Sequence, residues 1–293
     1  MHEKLLGREI FELLFKQWRL QYNLIVRRIS SIPRNLVLRL LHRCNLVVMK
    51  AATYENLIAW QRPARDLSFI NSLPINQRNQ IYSLVDLSRS QLRQDLFVLS
   101  QTNFKENGYF VEFGATDGLS LSNTYLLESS FAWNGILAEP AKIWHDSLIS
   151  NRKAIVSSKC VWSETGKSLK FKETSNPELS GISKFGQSDD LVKLRGKGVE
   201  YNVVTISLQD LLEENNAPSY IDYLSIDTEG SELEILKAFD FNKYKFGVIT
   251  CEHNFTENQE KLKLLLESHG YNLVYPDFSE FDGWFISSDL EKF

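Results

Sequence analysis

The chain of 293 residues has only three cysteines, Cys44, Cys160 and Cys251. They form no Cys-x-x-Cys pair, which argues against a disulfide framework and a structural zinc site and favours a reducing compartment. Long apolar runs are missing too, since no stretch approaches the ~18 uninterrupted apolar residues of a membrane span. Charges interrupt the N-terminal segment, so no secretory signal is visible. These absences favour a cytoplasmic protein, soluble or peripheral to the inner face of a membrane.

Two glycine motifs that bind phosphates are also missing. The apolar run Tyr109–Phe113 is followed by Gly114, but the dinucleotide fingerprint G-x-G-x-x-G would then need glycines where Thr116 and Leu119 stand. No Gly-Lys-Ser or Gly-Lys-Thr follows this turn directly, so the turn is not a P-loop. An NAD-dependent oxidoreductase is therefore disfavoured and is kept only as an alternative.

The sequence instead has a strand, a glycine turn and a helix start, with the spacing Glu112-x-Gly114-x-x-x-Gly118. This arrangement brings backbone N–H groups and a helix N-terminus up to a bound ligand. Glycine permits both close approach and the backbone angles that such turns require. An acid in the turn suits the cationic end of a ligand, such as the amino group of S-adenosylmethionine. The alternative is an ordinary strand–turn–helix with incidental glycines.

A second strand ends in an acid. The run Gly135–Ala138 leads to Glu139 and Pro140, about 20 residues beyond the glycine turn. A carboxylate at the tip of the second strand is where nucleotide-binding folds hold ribose hydroxyls. Pro140 would stop the strand and start the next helix. Two such features at this separation favour a nucleotide-like cofactor more than either feature alone.

A later apolar strand delivers several acids to its carboxyl end. Tyr223–Ile226 leads to Asp227, and Glu229 and Glu232 follow closely. Ligands of open α/β sheets bind just beyond the carboxyl ends of the strands. Glu232 has a simpler explanation, because an acid in the first turn of a helix stabilises it by ~0.3–1 kcal/mol. The serine before Glu232 also fits a capping box.

The next strand ends at Cys251 and is followed by Glu252, His253 and Asn254. A lone histidine is more often structural. This one, however, is expected beside Asp227, which makes it a candidate base or substrate contact. Asp227, Glu252 and Asn254 also offer oxygen atoms that suit Mg²⁺. Our expectation is a site without a metal, with Mg²⁺ as the alternative.

Strands and helices alternate from residue 109 onward, which predicts a parallel sheet covered on both faces. No long helix separates the closing strands, so one of them is predicted to be antiparallel. The third strand is predicted at Ala154–Val161. The polar region Ser163–Glu200 that follows is typical of an exposed insertion or a mobile lid.

Residues 1–50 differ from the rest of the chain. They carry ten basic and three acidic residues, a net +7, which leaves −11 for the remainder of a chain whose total is −4. Because the overall charge of −4 is mildly acidic, nucleic acid is not an expected partner. Apolar residues recur at helical spacing, so this segment is predicted to bind an anionic membrane surface or, as we favour, to pack on the catalytic domain or a second subunit. The helical extension is predicted to span residues 1–90 and the catalytic domain residues 91–293.

An ordered set of motifs resembles the FkbM family of S-adenosylmethionine-dependent methyltransferases, over roughly residue 90 to the C-terminus. The motifs are Phe110–Gly118, Ser122–Thr124, Trp133–Pro140, Ser225–Glu232, Cys251–Asn254, Gly270-Tyr271 and Asp282–Ile286. The resemblance implies an α/β, class I (Rossmann-like) methyltransferase fold: a seven-stranded, mostly parallel sheet with the last strand antiparallel, plus the helical N-terminal extension. It also implies O-methylation of a hydroxyl on a sugar, a glycan or a related natural product.

The resemblance also implies a set of residues that bind S-adenosylmethionine. The set is Glu112, Gly114, Ala115, Thr116, Asp117, Gly118, Asn123, Glu139, Pro140, Cys160, Val161 and Asp227. Glu112 and the glycine turn would hold the methionine part, and Glu139 would hold the ribose hydroxyls. Cys160 and Val161, at the end of the third strand, would border the adenine.

The acceptor hydroxyl needs a base, because an alcohol is a poor nucleophile until its proton leaves. Asp227, Glu229 and His253 are the candidate catalytic residues, in falling order of preference. A cofactor-free module that binds a partner is the remaining alternative. The intact acids at all three strand ends argue against it.

Overall fold

The computed structural model describes residues 51–184 and 198–290. The chain divides after Pro63 into two units, residues 1–63 and 64–293. The basic helices predicted within residues 1–50 lie outside the described residues. The boundary expected between residues 90 and 91 stays a prediction. Within the described ranges, no helix combines the length and the apolar character that crossing a bilayer requires.

Helices and strands alternate from β1 onward as predicted, except that the described residues have no α-helix between β3 and β7. The helices are α1 Ala51–Ser72, α2 Ile75–Leu84, α3 Gln94–Gln101, α4 Tyr125–Phe131, α5 His145–Asn151, α6 Leu208–Glu214, α7 Glu232–Lys237, α8 Asn258–Ser268 and α9 Pro276–Ser279. The strands are β1 Tyr109–Phe113, β2 Asn134–Ala138, β3 Ile155–Ser157, β4 Cys160–Trp162, β5 Ser168–Thr174, β6 Gly181–Ile182, β7 Gly198–Ser207, β8 Tyr220–Ile226, β9 Lys245–Glu252, β10 Tyr271–Val274 and β11 Asp282–Ser287.

Seven of the described strands form one sheet in the order β3-β2-β1-β8-β9-β11-β10. The β1–β2, β1–β8, β2–β3 and β8–β9 pairs are parallel, whereas β11 is antiparallel to both β9 and β10. The short connection through α9 allows this reversal, since a parallel neighbour would need a long crossover. The predicted fold, a mostly parallel seven-stranded sheet with its last strand antiparallel, is confirmed.

The predicted third strand is wrong in extent. Ala154–Val161 is not one strand: β3 ends at Ser157 on the edge of the large sheet, and β4 begins at Cys160. β4 pairs in parallel with β7, where Cys160 lies opposite Thr205. The polar residues between β3 and β4 let the chain leave the large sheet, so Cys160 and Val161 belong to a different sheet from the one predicted.

The polar region after residue 162 folds into a second sheet, with the strand order β4-β7-β5-β6. β5 and β7 pair antiparallel over seven residues, from Ser168 opposite Val204 to Thr174 opposite Gly198. A small core of Phe171, Ile182 and Val203 is buried beneath these strands. The described part of this region is therefore a sheet, and most side chains of β5 and β7 are exposed or half-buried. The predicted exposed insertion stays a prediction. Residues 185–197 lie outside the description.

Side chains of alternating direction along the strands fill two cores, one on each face of the large sheet. In β1, Val111 and Phe113 join a core with α6, α7 and α8, and Phe110 joins one with α1 to α5. Trp284 of β11 stacks on Phe97 of α3, with ring centroids 4.6 Å apart and planes at 18°. Each large side chain buried in this way contributes about 1.5–3 kcal/mol. The two layers of helices hold the strand ends rigidly in place.

Candidate active site

The parallel strands β2, β1, β8 and β9 end side by side. Phe113 lies opposite both Ala138 and Ile226, and Ile226 lies opposite Cys251. The residues that follow, or close, these strands are Gly114, Glu139, Asp227 and Glu252. The prediction that these residues share one edge of the sheet is confirmed by this register.

Gly114 lies between β1 and the turn. Its backbone contacts Asp227, the first residue of the loop that follows β8. Its φ of +72° lies in the left-handed region that favours glycine. A Cβ at this position would lie 2.0 Å from the backbone carbonyl oxygen of Asp227. Its N–H donates to the carbonyl oxygen of Ala138 at 3.0 Å. The glycine is therefore required by both space and conformation, and it ties three strand ends together.

The rest of the turn is shaped by its own side chains. Asp117 accepts hydrogen bonds from the N–H groups of Leu119 at 2.8 Å and Ser120 at 2.7 Å. Gly118 has φ +76°, and its N–H donates to the carbonyl oxygen of the buried Ala115 at 2.8 Å. Asp117 thus stabilises the turn through its side chain. Its predicted contact with the methyl donor stays a prediction.

Glu112 is buried in a network of its own. Its carboxylate accepts from the Asn123 N–H at 2.7 Å and from the Thr124 hydroxyl at 2.5 Å. The guanidinium of Arg152, with none of its side chain exposed, lies 3.6 Å away and also pairs with Glu128 at 2.9 Å. A buried carboxylate needs such a partner because its desolvation is costly. These contacts make Glu112 the anchor of the loop that carries Asn123.

Asn123 connects that loop to β8. Its side-chain N–H donates to the Ser225 hydroxyl at 3.0 Å. Its Oδ1 is buried and has no hydrogen-bond partner among the described residues. Buried polar atoms are satisfied in most native structures, so this oxygen is left available to a further hydrogen-bond donor. The predicted contact of Asn123 with the methyl donor stays a prediction.

Glu139 links the second strand to the glycine turn. Its two carboxylate oxygens accept from the N–H groups of Thr116 at 2.9 Å and Ala141 at 2.7 Å. Burial raises the pKa of Glu139 to about 7, and the charge of Glu173 adds to this shift. Pro140 follows and is half-buried, and the next helical turn begins only at Lys142. The predicted position of Glu139 at the strand tip is confirmed.

Cys160 and Val161 are both buried in β4. Burial raises the pKa of the Cys160 thiol to about 12, and the nearby Glu139 charge contributes to this shift. Although the two residues belong to the second sheet, Cys160 lies close enough to Glu139 for that charge to raise the pKa of its thiol. Their predicted contact with an adenine stays a prediction.

Three carboxylates gather where β8 and β9 end. One oxygen from each of Asp227, Glu229 and Glu252 lies within 4.8 Å of the others. Glu229 reaches this place from a backbone with φ +59°, followed by Gly230 at +113°. Burial raises the pKa of Asp227, and burial followed by the Asp227 charge raises the pKa of Glu252 well above its usual range. We call Asp227, Glu229 and Glu252 the acid cluster.

Glu232 is structural. Its carboxylate accepts from the N–H groups of Thr228 and Gly230, both at 3.0 Å, and so closes the loop after β8. The predicted capping box is wrong, because Ser231 makes no side-chain cap bond and donates to the Thr228 hydroxyl instead. The Glu232 carboxylate therefore stabilises the loop that precedes α7.

His253 is held by the backbone around it. Its Nδ1 accepts from the Phe255 N–H at 3.1 Å, and the ring packs edge-on against the Phe255 ring. Burial lowers the pKa of His253, and a hydrogen bond to the backbone of Asp282 acts in the opposite direction. A neutral ring bonded on both sides is typical of a structural histidine, which leaves His253 the weakest of the three candidate bases.

Comparisons with known proteins decide the family. Residues 112–284, more than half of the chain, match the Methyltransferase FkbM domain. The chain belongs to the FkbM methyltransferase family. It is therefore a methyltransferase that takes its methyl group from a bound donor.

Two solved structures have weak likeness to the FkbM methyltransferase. Precorrin-6y C5,15-methyltransferase from Geobacter metallireducens GS-15 is 15% identical, with a TM-score of 0.36 over 66% of this chain and 84% of that chain. A fibrillarin/Nop5p complex is 12% identical, with a TM-score of 0.32 over 61% and 71%. No curated protein matches the chain.

The FkbM methyltransferase also uses residues that sequence reasoning missed. Arg152 neutralises Glu112, and Ser225 positions Asn123. Gly181 of β6 lies against Glu229, since a Cβ there would be 3.0 Å from the Glu229 Cβ. An acid inside an apolar strand, such as Glu112, indicates that a buried cationic side chain is paired with it. Which cation it is depends on the fold, because Arg152 is far away in sequence.

Proposed function

We propose that this FkbM methyltransferase transfers a methyl group from S-adenosylmethionine to a hydroxyl of a sugar, a glycan or a related natural product. The observation that carries the proposal is the meeting of three strand ends at Gly114, whose backbone contacts Asp227 on one side and is hydrogen-bonded on the other to Ala138, the residue before Glu139. A donor bound over this turn would have carboxylates on both flanks. That environment suits a ligand with one cationic centre and a pair of sugar hydroxyls.

The chain offers a separate group for each part of the donor. The unpaired Oδ1 of Asn123 is a suitable acceptor for the amino group of the methionine part. Each Glu139 oxygen accepts one backbone N–H and retains a lone pair for a ribose hydroxyl. Glu112 supports these contacts from behind, by fixing the loop of Asn123. When bound, S-adenosylmethionine supplies an electrophilic methyl group on a sulfonium centre.

Asp227 is the favoured base for the acceptor. It lies where the glycine turn and the acid cluster meet, and it is only partly exposed. Its carboxylate would hold the acceptor hydroxyl in position and take the hydroxyl proton as the oxygen becomes a nucleophile. Such proton removal contributes about 10²–10⁴-fold in rate. Glu229 is the second candidate, and His253 the third.

Calorimetric titration with S-adenosylmethionine, S-adenosylhomocysteine and NAD tests the donor. We expect the first two to bind with micromolar affinity and NAD not to bind. Gly114→Ala should abolish binding, because its Cβ would meet the Asp227 carbonyl oxygen. Gly166→Ala is the matched control, since Gly166 has a similar φ of +79° with no atom within 4 Å of an added Cβ.

Each other outcome points to a different function. Binding of NAD alone would favour an oxidoreductase on the same fold, and binding of none of the three would favour a partner-binding module. With the donor established, hydroxylated acceptors are screened by mass spectrometry for a gain of one methyl group. Methylation of nitrogen or carbon acceptors alone would overturn the proposed O-methylation.

A further inference from the structure

The acid cluster is an unusual concentration of negative charge for a partly enclosed site. Two further acids, Glu232 and Asp282, are buried on the elements that follow β8 and pair with β9. Asp282 of β11 lies directly opposite Glu252 of β9 in the strand register. Like charges gathered in this way repel one another strongly unless a proton or a cation lies between them.

Glu252 provides a second, independent observation. The residue is only 8% exposed, and its Oε2 is buried without a hydrogen-bond partner among the described residues. Another oxygen of the same cluster lies within 4.8 Å of its carboxylate. A buried carboxylate oxygen with no donor is costly, so this oxygen needs either a proton shared between the acids, as the hydrogen bond between Asp227 and Glu252 would provide, or a cation from outside the chain.

We propose that Asp227, Glu229 and Glu252 form a binding site for a divalent cation of the Mg²⁺ type. All three donors are carboxylate oxygens, the ligands that hard cations prefer. Around Mg²⁺, with bonds of about 2.1 Å, ligand oxygens are about 3.0 Å apart when adjacent and about 4.2 Å apart when opposite, so three oxygens within 4.8 Å of one another would move closer together to bind the ion. Open coordination positions would be filled by water or by the acceptor hydroxyl.

The cation would have a direct use at this place. A hydroxyl bound to a divalent cation loses its proton more readily, and the cation fixes its orientation. One oxygen of Asp227 would lie on the cation, and the second would accept the hydroxyl proton. This use in methyl transfer rests on the function proposed above, whereas cation binding itself does not. The sequence offered Asp227, Glu252 and Asn254 as ligands, and the structure brings Glu229 together with the two acids of that set.

Electron paramagnetic resonance of Mn²⁺ tests the site without any turnover. Chelator-treated full-length protein is titrated with Mn²⁺, with and without S-adenosylhomocysteine, and the loss of the sharp free-ion signal is measured. We expect one site per chain, displaced by excess Mg²⁺. Glu252→Gln and Glu229→Gln should each weaken Mn²⁺ binding at least about tenfold. Glu260→Gln, at an acid of α8 whose side chain is 68% exposed, should bind as the unaltered protein does.

Two results would overturn the site. One is the absence of Mn²⁺ binding to the unaltered protein both with and without S-adenosylhomocysteine, which would mean that a shared proton satisfies the acids. The other is equal binding by the unaltered protein and by both cluster variants, which would place the ion elsewhere. Thermal unfolding of each variant shows that it is folded. Because the titration without S-adenosylhomocysteine needs no methyl donor, it stands even if the proposed function fails.

Discussion

Gly114 and Asp227 touch through their backbones, where an added Cβ on Gly114 would lie 2.0 Å from the Asp227 carbonyl oxygen. The residue predicted to line the donor site and the residue proposed to activate the acceptor are therefore held by one contact between two neighbouring strands. A shift in either strand end would move both at once. Catalysis of methyl transfer depends on such positioning, which can be worth about 7–11 kcal/mol.

The first prediction concerns the stability of that contact. Gly114→Ala combines a positive φ with a backbone clash, so we expect it to lower the free energy of unfolding by more than about 2 kcal/mol. Gly166→Ala keeps the positive φ without the clash and should cost about 1 kcal/mol. Urea denaturation measures both. Equal losses would mean that conformation alone, and not the contact with Asp227, requires glycine at position 114.

The second prediction concerns the cation behind Glu112. Arg152→Met leaves Glu112 and Glu128 buried without their partner and should cost about 3–5 kcal/mol. Adding Glu112→Gln to this variant should restore part of the loss, because the buried charge is then removed as well. Lys159→Met breaks only the exposed pair with Glu214 and should cost at most about 1 kcal/mol. Full additivity of the two buried substitutions would show that the residues are not coupled.

The third prediction is a pH dependence of stability that comes from Glu139. Its pKa of about 7 in the folded protein exceeds the usual 4.5, so the folded chain binds more protons than the unfolded chain between these values. Stability therefore falls as the pH rises from about 4.5 to 7, by up to about 3 kcal/mol from this group.

Glu139→Gln should remove that part of the fall, leaving the share from other buried carboxyls such as Asp282, whose pKa burial also raises to about 7. Urea denaturation at pH 5 and pH 8, in ligand-free buffer with a chelator, compares the two proteins. The same loss of stability between these pH values in both would contradict the assignment.

The fourth prediction separates the candidate bases. Asp227→Asn should lower kcat by about 10²–10⁴-fold while S-adenosylhomocysteine still binds. His253→Asn retains a side-chain oxygen that can accept from the Phe255 N–H, so kcat should change far less. Steady-state kinetics on an identified acceptor measures both. A larger loss for His253→Asn than for Asp227→Asn would reverse the order of the two residues.

Much of the site could be predicted because it depends on local pattern. Apolar runs that stop at Glu139, Asp227 and Glu252 mark strand ends, and parallel strands place their ends together. Gly114 and Gly118 stand where a strand must turn sharply, and both have positive φ as expected of such turns.

What could not be predicted depends on contacts between distant parts of the chain. β4 is only three residues long, and its pairing with β7 joins Cys160 to Thr205, so no local period indicates it. The partner of Glu112 is equally hidden, since Arg152 follows α5 with nothing beside it to mark it as a ligand of β1. The hydrogen bond that holds the His253 side chain likewise comes from the backbone of Asp282 in β11, which is far along the chain.

The chain forms the second sheet between β3 and α6. The side chains of Phe171, Ile182 and Val203 pack together in a small core there. One of its edges, at Gly181, touches Glu229 of the acid cluster. The strands β4 and β7 are not independent of the large sheet, because Val161 and Ile206 are buried in the core on one face of that sheet. Substitutions in β6 are therefore expected to reshape the surroundings of Glu229 with less effect on the large sheet than substitutions in β4 or β7.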